Sequence, residues 1–450
     1  MSGLKQWLAR WREPLLAVLL ILVPLVWHIR FVREYGYLSP PFFYEPYDTF
    51  MDWYNTVFWA HNIGAYDSWM TVYPPLAFVI LRVLSIKSCY STTGGMDILD
   101  LEVRDCDWLG IVVLGVTFTV NLVLIAFTFR KLDRSTALPR TAALGLGLPM
   151  LHALERGNLM LLTFTFFLLG VSPLIKHAWM RWLALGLAIN LKIYLIAVLF
   201  PHLLRRRWRW FEGALTVSVL VYLLSFIANG DGTPAQLYTN IFEGTYQFNA
   251  NSFLDGWYAV TYRPFNAILE SQFIAISSLI GSDAVETLSL LLPALQRFTQ
   301  LLIVAAALAV WLRPEAVATH VVTLLGLLMV LVTVETGAYT MTLLTLFVFM
   351  ERWKGVARPI AIVLAYLLCT SADFFIDRLA PAVRESWIAG GPVQFDFALT
   401  VGPFVRPLAV MMVVWCITAA VLADVARDLR TDPGPWRRRF AGELFGAARR

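Results

Sequence analysis

PLLAVLLILVPLVW, residues 14–27, contains no charged side chain in fourteen consecutive positions. In lipid such a run must satisfy its backbone polar groups internally, and a helix does so within one segment. Comparable runs recur along all 450 residues. They fall near 14–32, 72–87, 108–129, 138–154, 158–174, 178–200, 210–228, 286–312, 317–334, 336–351, 358–376 and 398–424. The chain is 58% hydrophobic and only 15% charged, against about 25% charged in soluble domains. The expected fold is therefore an all-α polytopic membrane protein of about twelve transmembrane helices. The alternating pattern of a lipid-facing barrel is absent. MSGLKQWLARWREP is basic, but the run that follows has no small-residue cleavage site, so it reads as a first transmembrane helix.

Lys and Arg orient the bundle. The N-terminus (Lys5, Arg10, Arg12), the RRRWR run (Arg205 to Arg209), the ERWKGVAR loop and the RDLRTDPGPWRRR tail belong on the cytoplasmic side, and twelve spans place them together. FRKLDRSTALPR (129–140) is then a misfit. The alternative makes 72–87 non-spanning and merges 138–174 into one crossing, which moves Cys89 and Cys106 outside. In either arrangement 33–71, 229–285 and 377–397 face outward. The organisation is a membrane module over 1–228 with its first outer loop at 33–71, a second outer loop at 229–285, C-terminal helices over 286–424 and a basic tail at 425–450. The net charge of +5 sits in short loops, which suits topology and membrane lipids rather than nucleic acid. There is no ATP-type phosphate loop and no dinucleotide fingerprint. His28, His61, His152, His177, His202 and His320 are scattered, so neither metal nor cofactor is required.

Three constellations carry chemistry. PYDTFMDWYNTVFWAH (46–61) sets Asp48 and Asp52 among rings, with Tyr54, Phe58 and Trp59 spaced for an interfacial amphipathic helix. Asp52 would open that helix, where a carboxylate is favoured. Tyr73-Pro74-Pro75 would open the next. The two acids are either solvated caps or a base able to take a proton from a hydroxyl. HALERGNLM and AINLKIYLI place Glu155, Arg156, Asn158 and Lys192 at similar distances from a turn near His177. They form a buried polar cluster or a structural Glu155–Lys192 pair, since charge inside a span is costly. The second outer loop carries Tyr246, Asn249, Asn251, Asp255, Trp257, Tyr258 and Arg263, the stacking rings and polar partners of a sugar site. Glu335 falls between two runs and marks an outer turn.

Asp52, an aromatic helix ending Ala60-x-x-x-Gly64, then Tyr66 and Tyr73-Pro74-Pro75-Leu76, resembles the polyprenyl-phosphate-sugar-dependent GT-C glycosyltransferases. Specifically it resembles the DUF2029 group, glycosyltransferase family 87, which includes mycobacterial polyprenol-phosphate-mannose-dependent mannosyltransferases. Arg156-Gly157-Asn158 and Leu191-Lys192-Ile193-Tyr194 are similar to segments of the glycosylphosphatidylinositol mannosyltransferase I catalytic subunit, although Leu195 replaces the usual proline. The likeness covers about the first 210 residues. It implies a GT-C-like bundle that moves a monosaccharide, as a mannosyltransferase would, from a polyprenyl-phosphate donor to a lipid or glycan acceptor of the cell envelope. The active site would face the periplasm or exterior of the inner or plasma membrane. Asp52, or Asp48, would be the base, and inversion would follow. Arg263 would hold the leaving phosphate, with Lys192, Arg156 and Asn158 as further donor-binding candidates. Tyr54, Tyr73, Tyr246, Asn249, Asp255 and Trp257 would bind substrate. Twelve full spans put Lys192 and Arg156 in the cytoplasmic half, where they would shape the lipid cavity. The alternative function is a secondary transporter or a flippase for lipid or polysaccharide. A structural subunit would need neither Asp52 nor Lys192.

Overall fold

In a computed structural model the described residues are 11–42, 46–90, 102–244, 259–262, 276–335 and 337–431. Among them, five helices are long and apolar enough to cross a membrane: Trp11–Tyr35, Trp108–Leu132, Trp208–Asn229, Ser282–Leu312 and Gly402–Thr431. In the first four only 22–28% of the most apolar stretch is buried, so their outer faces meet lipid. The last buries 56% and sits further in. The innermost element is the helix Met341–Phe349, every residue of which is buried. Phe347 meets Phe167 edge-on, and Phe349 meets Phe129 and Tyr366. Lipid is as apolar as leucine, so such packing, more than exclusion from water, holds helices together in a bilayer.

The bundle has two distinct ends. At one, Arg140 forms a buried ion pair with Glu13 at 2.7 Å and also donates to the carbonyls of Phe349 and Glu351. Arg358 pairs with Glu351 and Asp424, and His320 meets Glu351 at 2.6 Å. These contacts tie together the first, central and last helices. Removing one partner of a buried pair typically costs about 3–5 kcal/mol. At the other end lie Asp48 and Asp52, the Cys89–Cys106 disulfide and a two-stranded antiparallel hairpin, β1 (Phe375–Ser386) with β2 (Gly391–Thr400). Ser386 there donates to the carbonyl of Gly36 at 2.6 Å.

Passes between these ends differ from the apolar runs in the sequence. The run 72–87 does not cross: its helix is only Pro75–Val83. Both ends of that helix stay beside the carboxylates, through Tyr66 to the Tyr73 carbonyl and through Ile86 to Asp107. Nine residues span about 13 Å, far short of the ~30 Å hydrocarbon core. The run 178–200 is two passes. The helix Ala178–Ile189 stops at Asn190, whose amide donates to the Gly186 and Ser218 carbonyls. Lys192 is extended, and the chain turns back as a tight 3-10 stretch, Ile193–Val198. The 138–154 run is broken at Gly147, where a Cβ would meet the Ala143 carbonyl oxygen at 2.1 Å. The freed Leu148 amide donates to the Cys369 carbonyl. Among the described residues one run is thus lost as a crossing and one is divided. The misfit segment 129–140 now falls at the basic end, where Lys131 reaches the Pro173 carbonyl and Arg140 meets Glu13. The segment 377–397, read as a loop, is the hairpin. Its turn closes at Gly390, which has positive φ (67°).

Candidate active site

The helix Met51–His61 begins at Phe50, a non-glycine residue in the left-handed region (φ 66°), a conformation that costs about 1–2 kcal/mol. The first amides of a helix have no partner inside it. Here another helix supplies them. The Phe50 amide donates to the Glu155 carbonyl at 2.7 Å, and the Asp52 amide to the Arg156 carbonyl at 3.0 Å. The two backbones touch because position 157 is glycine. Gly157 has φ +63°, and a Cβ there would lie 2.8 Å from the Phe50 carbonyl oxygen and 3.0 Å from the Trp53 Cβ.

That docking brings the acids to the basic group of the RGN segment. Arg156 spans both, Nη1 to Asp48 Oδ2 and Nη2 to Asp52 Oδ1, each at 2.5 Å. Asn158 Nδ2 donates to Asp52 Oδ2 at 2.6 Å, while its Oδ1 accepts from the Met160 amide. An ionised carboxylate offers about four acceptor sites, so these bonds leave Asp52 room for a substrate hydroxyl. The side chains stay reachable, Asp52 22% and Asp48 17% exposed. Their electrostatics diverge. Burial pushes the Asp48 carboxyl up, and Arg156 only partly offsets it. Burial also acts on Asp52, but Arg156, Asn158 and Lys192 outweigh it and hold that carboxyl below its ordinary value. Asp48 lies instead within the field of Arg104, whose Nε is bonded to the Thr49 carbonyl at 2.7 Å.

Lys192, at the helix break, faces the same space. Its Nζ donates to the Tyr73 hydroxyl at 3.3 Å and lies 4.5 Å from the Tyr73 ring and 5.4 Å from the Tyr339 ring. Tyr339 stacks on His152 at 5.9 Å, and His152 Nδ1 is 3.2 Å from Glu155. Glu155 therefore does not pair with Lys192. The placement of Arg156 and Lys192 in the far half, expected from twelve full spans, is corrected. Their segments end in half-length helices that stop at the level of the acids.

The structure thus gathers Asp48, Asp52, Arg156, Asn158, Lys192 and Tyr73. Tyr54 points elsewhere: it is fully buried, and its hydroxyl donates to the Asp107 carbonyl at 3.2 Å. Arg263, Tyr246, Asn249, Asp255 and Trp257 lie outside the described residues. Glu335 accepts from the amides of Val260 and Thr261 and the Thr261 hydroxyl, so it anchors the end of the second loop. Three neighbours were not singled out in the sequence. Tyr339 shares the Glu335 turn, so the intramembrane acid beside it is its sequence signal. Trp387 places its ring 5.5 Å from Phe50 from the hairpin, and Arg104 is fully buried. Nothing in their local sequence distinguishes these two. Among the described residues no group of three or more His, Cys, Asp or Glu is placed to hold a metal.

A family model for glycosyltransferase family 87 matches residues 71–334. That stretch is more than half of the chain and contains Tyr73, Arg156, Asn158 and Lys192, but not Asp48 or Asp52. No curated protein and no solved structure matches the chain.

Proposed function

The chain belongs to glycosyltransferase family 87, and from that premise we propose that it moves a monosaccharide, mannose foremost, from a polyprenyl-phosphate donor to a lipid or glycan hydroxyl, with Asp52 as base. The observation that carries this reading is the Asp52–Arg156–Asn158 cluster beside Lys192. Asp52 stays ionised through its cationic neighbours. It takes the proton of the acceptor hydroxyl as that oxygen bonds to the anomeric carbon and the bond to the donor phosphate breaks. One displacement inverts the anomeric carbon. The departing phosphate carries growing negative charge, which a fixed cation stabilises. Arg156 is committed to the two acids, whereas Lys192 holds only neutral phenols, so Lys192 takes the phosphate between Tyr73 and Tyr339. Arg156 and Asn158 hold the base at its angle. No cofactor enters the reaction.

The charge distribution supports a site on the periplasmic or outer face. The end opposite the acids carries Arg130, Lys131, Arg134, Arg205, Arg206, Arg207, Arg352 and Lys354, the signature of a cytoplasmic surface. Both termini then lie in the cytoplasm of a cell envelope with the site on the periplasmic or outer face. The test is transfer by the purified chain in lipid, with radiolabelled polyprenyl-phosphate mannose, other polyprenyl-phosphate sugars and crude membrane acceptor. Product of opposite anomeric configuration is expected. A retained configuration, or no transfer from any of these donors, would overturn the reading.

A further inference from the structure

At the end opposite the carboxylates lies a second cavity of about 330 Å³, its wall largely apolar but carrying several cationic and polar side chains, within the usual small-ligand range. Its wall comes largely from the far ends of helices whose other ends reach the Asp52 site, and the reaction proposed above makes no use of it. Arg181, Arg207, His202, His320, Ser172 and Thr319 supply the polar groups, and no carboxylate lines it.

The cations are held in place without being neutralised. Arg181 Nε donates to the Gly170 carbonyl at 2.8 Å and Nη2 to the Val171 carbonyl at 3.4 Å, leaving Nη1 without a partner among the described residues. The Arg207 guanidinium makes no bond to any described residue, and it lies within the repulsive field of Arg181. His202 is only 6% exposed and is stacked on Trp210 with centroids 3.7 Å apart. Its Nδ1 is buried with no hydrogen-bond partner. A buried polar atom without a partner is destabilising unless a ligand satisfies it. Two unneutralised guanidiniums converging on one cavity with such an atom are a standing demand for an anion. Glu351, which touches His320, is already paired with Arg358. Guanidinium forks match phosphate oxygens, and Leu185, Val198 and Met350 complete an apolar flank.

We infer that this cavity is a binding site for a phosphate group, presented by a phospholipid headgroup of the leaflet at the basic end or by a soluble phosphate, and held by Arg181, Arg207 and His202. The proposal does not depend on the glycosyltransfer reading.

The test uses the full chain, stripped of lipid and placed in phosphatidylcholine nanodiscs. Equilibrium binding of radiolabelled dioctanoyl phosphatidic acid and of inorganic phosphate is measured separately, then in competition. Saturable binding is expected, weakened about tenfold or more by Arg207→Gln and by His202→Phe, since a charged hydrogen bond contributes about 1.5–3 kcal/mol. The phenyl ring keeps the stack on Trp210, so that variant reports the ring nitrogens alone. Lys176→Gln, at an exposed position outside the cavity, controls for general surface charge and is expected to bind as wild type. Phosphatidic acid binding that millimolar inorganic phosphate leaves intact identifies the lipid source, and displacement identifies the soluble one. Absence of saturable binding of both probes, or equal affinity in wild type and both cavity variants, would overturn the proposal.

Discussion

At the scale of single residues, Gly157 does as much for the site as the charges around it. Its positive φ and the 2.8 Å approach to the Phe50 carbonyl bring the Asp52 helix onto the end of the helix Leu148–Glu155. Gly157→Ala adds backbone strain of about 1–2 kcal/mol and an overpacking cost of about 1–3 kcal/mol. A lower unfolding midpoint is expected, together with a transfer rate reduced about tenfold or more, because small misplacements of reacting groups are expensive. Thermal unfolding and initial rates of the purified variant check this, and an unchanged rate would contradict it. The charges themselves were legible. Arg156 and Lys192 stand out because ionised groups in apolar runs are costly. Their meeting with Asp48 and Asp52 was not legible. An apolar run gives depth only if it crosses fully, and nothing local announces that the chain stops at Asn190 or Arg156 and turns back.

At the scale of elements, the disulfide-bridged segment after the Pro75–Val83 helix touches the turn that carries the first acid, through Arg104 and the Thr49 carbonyl. The Cys89–Cys106 bridge closes a segment of sequence separation 17. That segment carries Arg104, bonded to the Thr49 carbonyl, and Tyr90, whose hydroxyl donates to the Asp107 carboxylate at 2.5 Å. Closing a loop of this length contributes about 3 kcal/mol by the chain-entropy argument. The double substitution Cys89→Ser/Cys106→Ser is expected to lower both the unfolding midpoint and the transfer rate. Cys416→Ser, on the last helix, should leave both near wild type. An unaltered rate in the double variant would show that Arg104 keeps its place on the Thr49 carbonyl without the bridge. In the sequence the two cysteines left bridging open, because pairing depends on which side the loop occupies. The β1–β2 hairpin has no clear strand signal in the sequence. Its strands carry Pro381, Pro392, Arg378, Arg384 and Glu385, and proline is tolerated in strands mainly at edges. Both strands of a two-stranded sheet are edges.

At the scale of the whole molecule, the separation of acids from basic loops predicts a fixed orientation. A single cysteine at Arg134→Cys is expected to react with an impermeant maleimide only from the cytoplasmic side, and one at Asp67→Cys only from the other. The opposite labelling would invert the assignment. The helical membrane class was readable from apolar runs alone, since few other folds can bury them. The central claim is that Asp52, fixed by Arg156 and Asn158 and adjoining Lys192, is the base. Its most direct test compares transfer rates of wild type, Asp52→Asn and Asp48→Asn under the same donor and acceptor. A general base contributes about 10²–10⁴-fold. The account predicts a loss of that size in Asp52→Asn and a much smaller loss in Asp48→Asn, whose carboxylate serves to anchor Arg156. Near-complete loss in Asp48→Asn with activity retained in Asp52→Asn would contradict it.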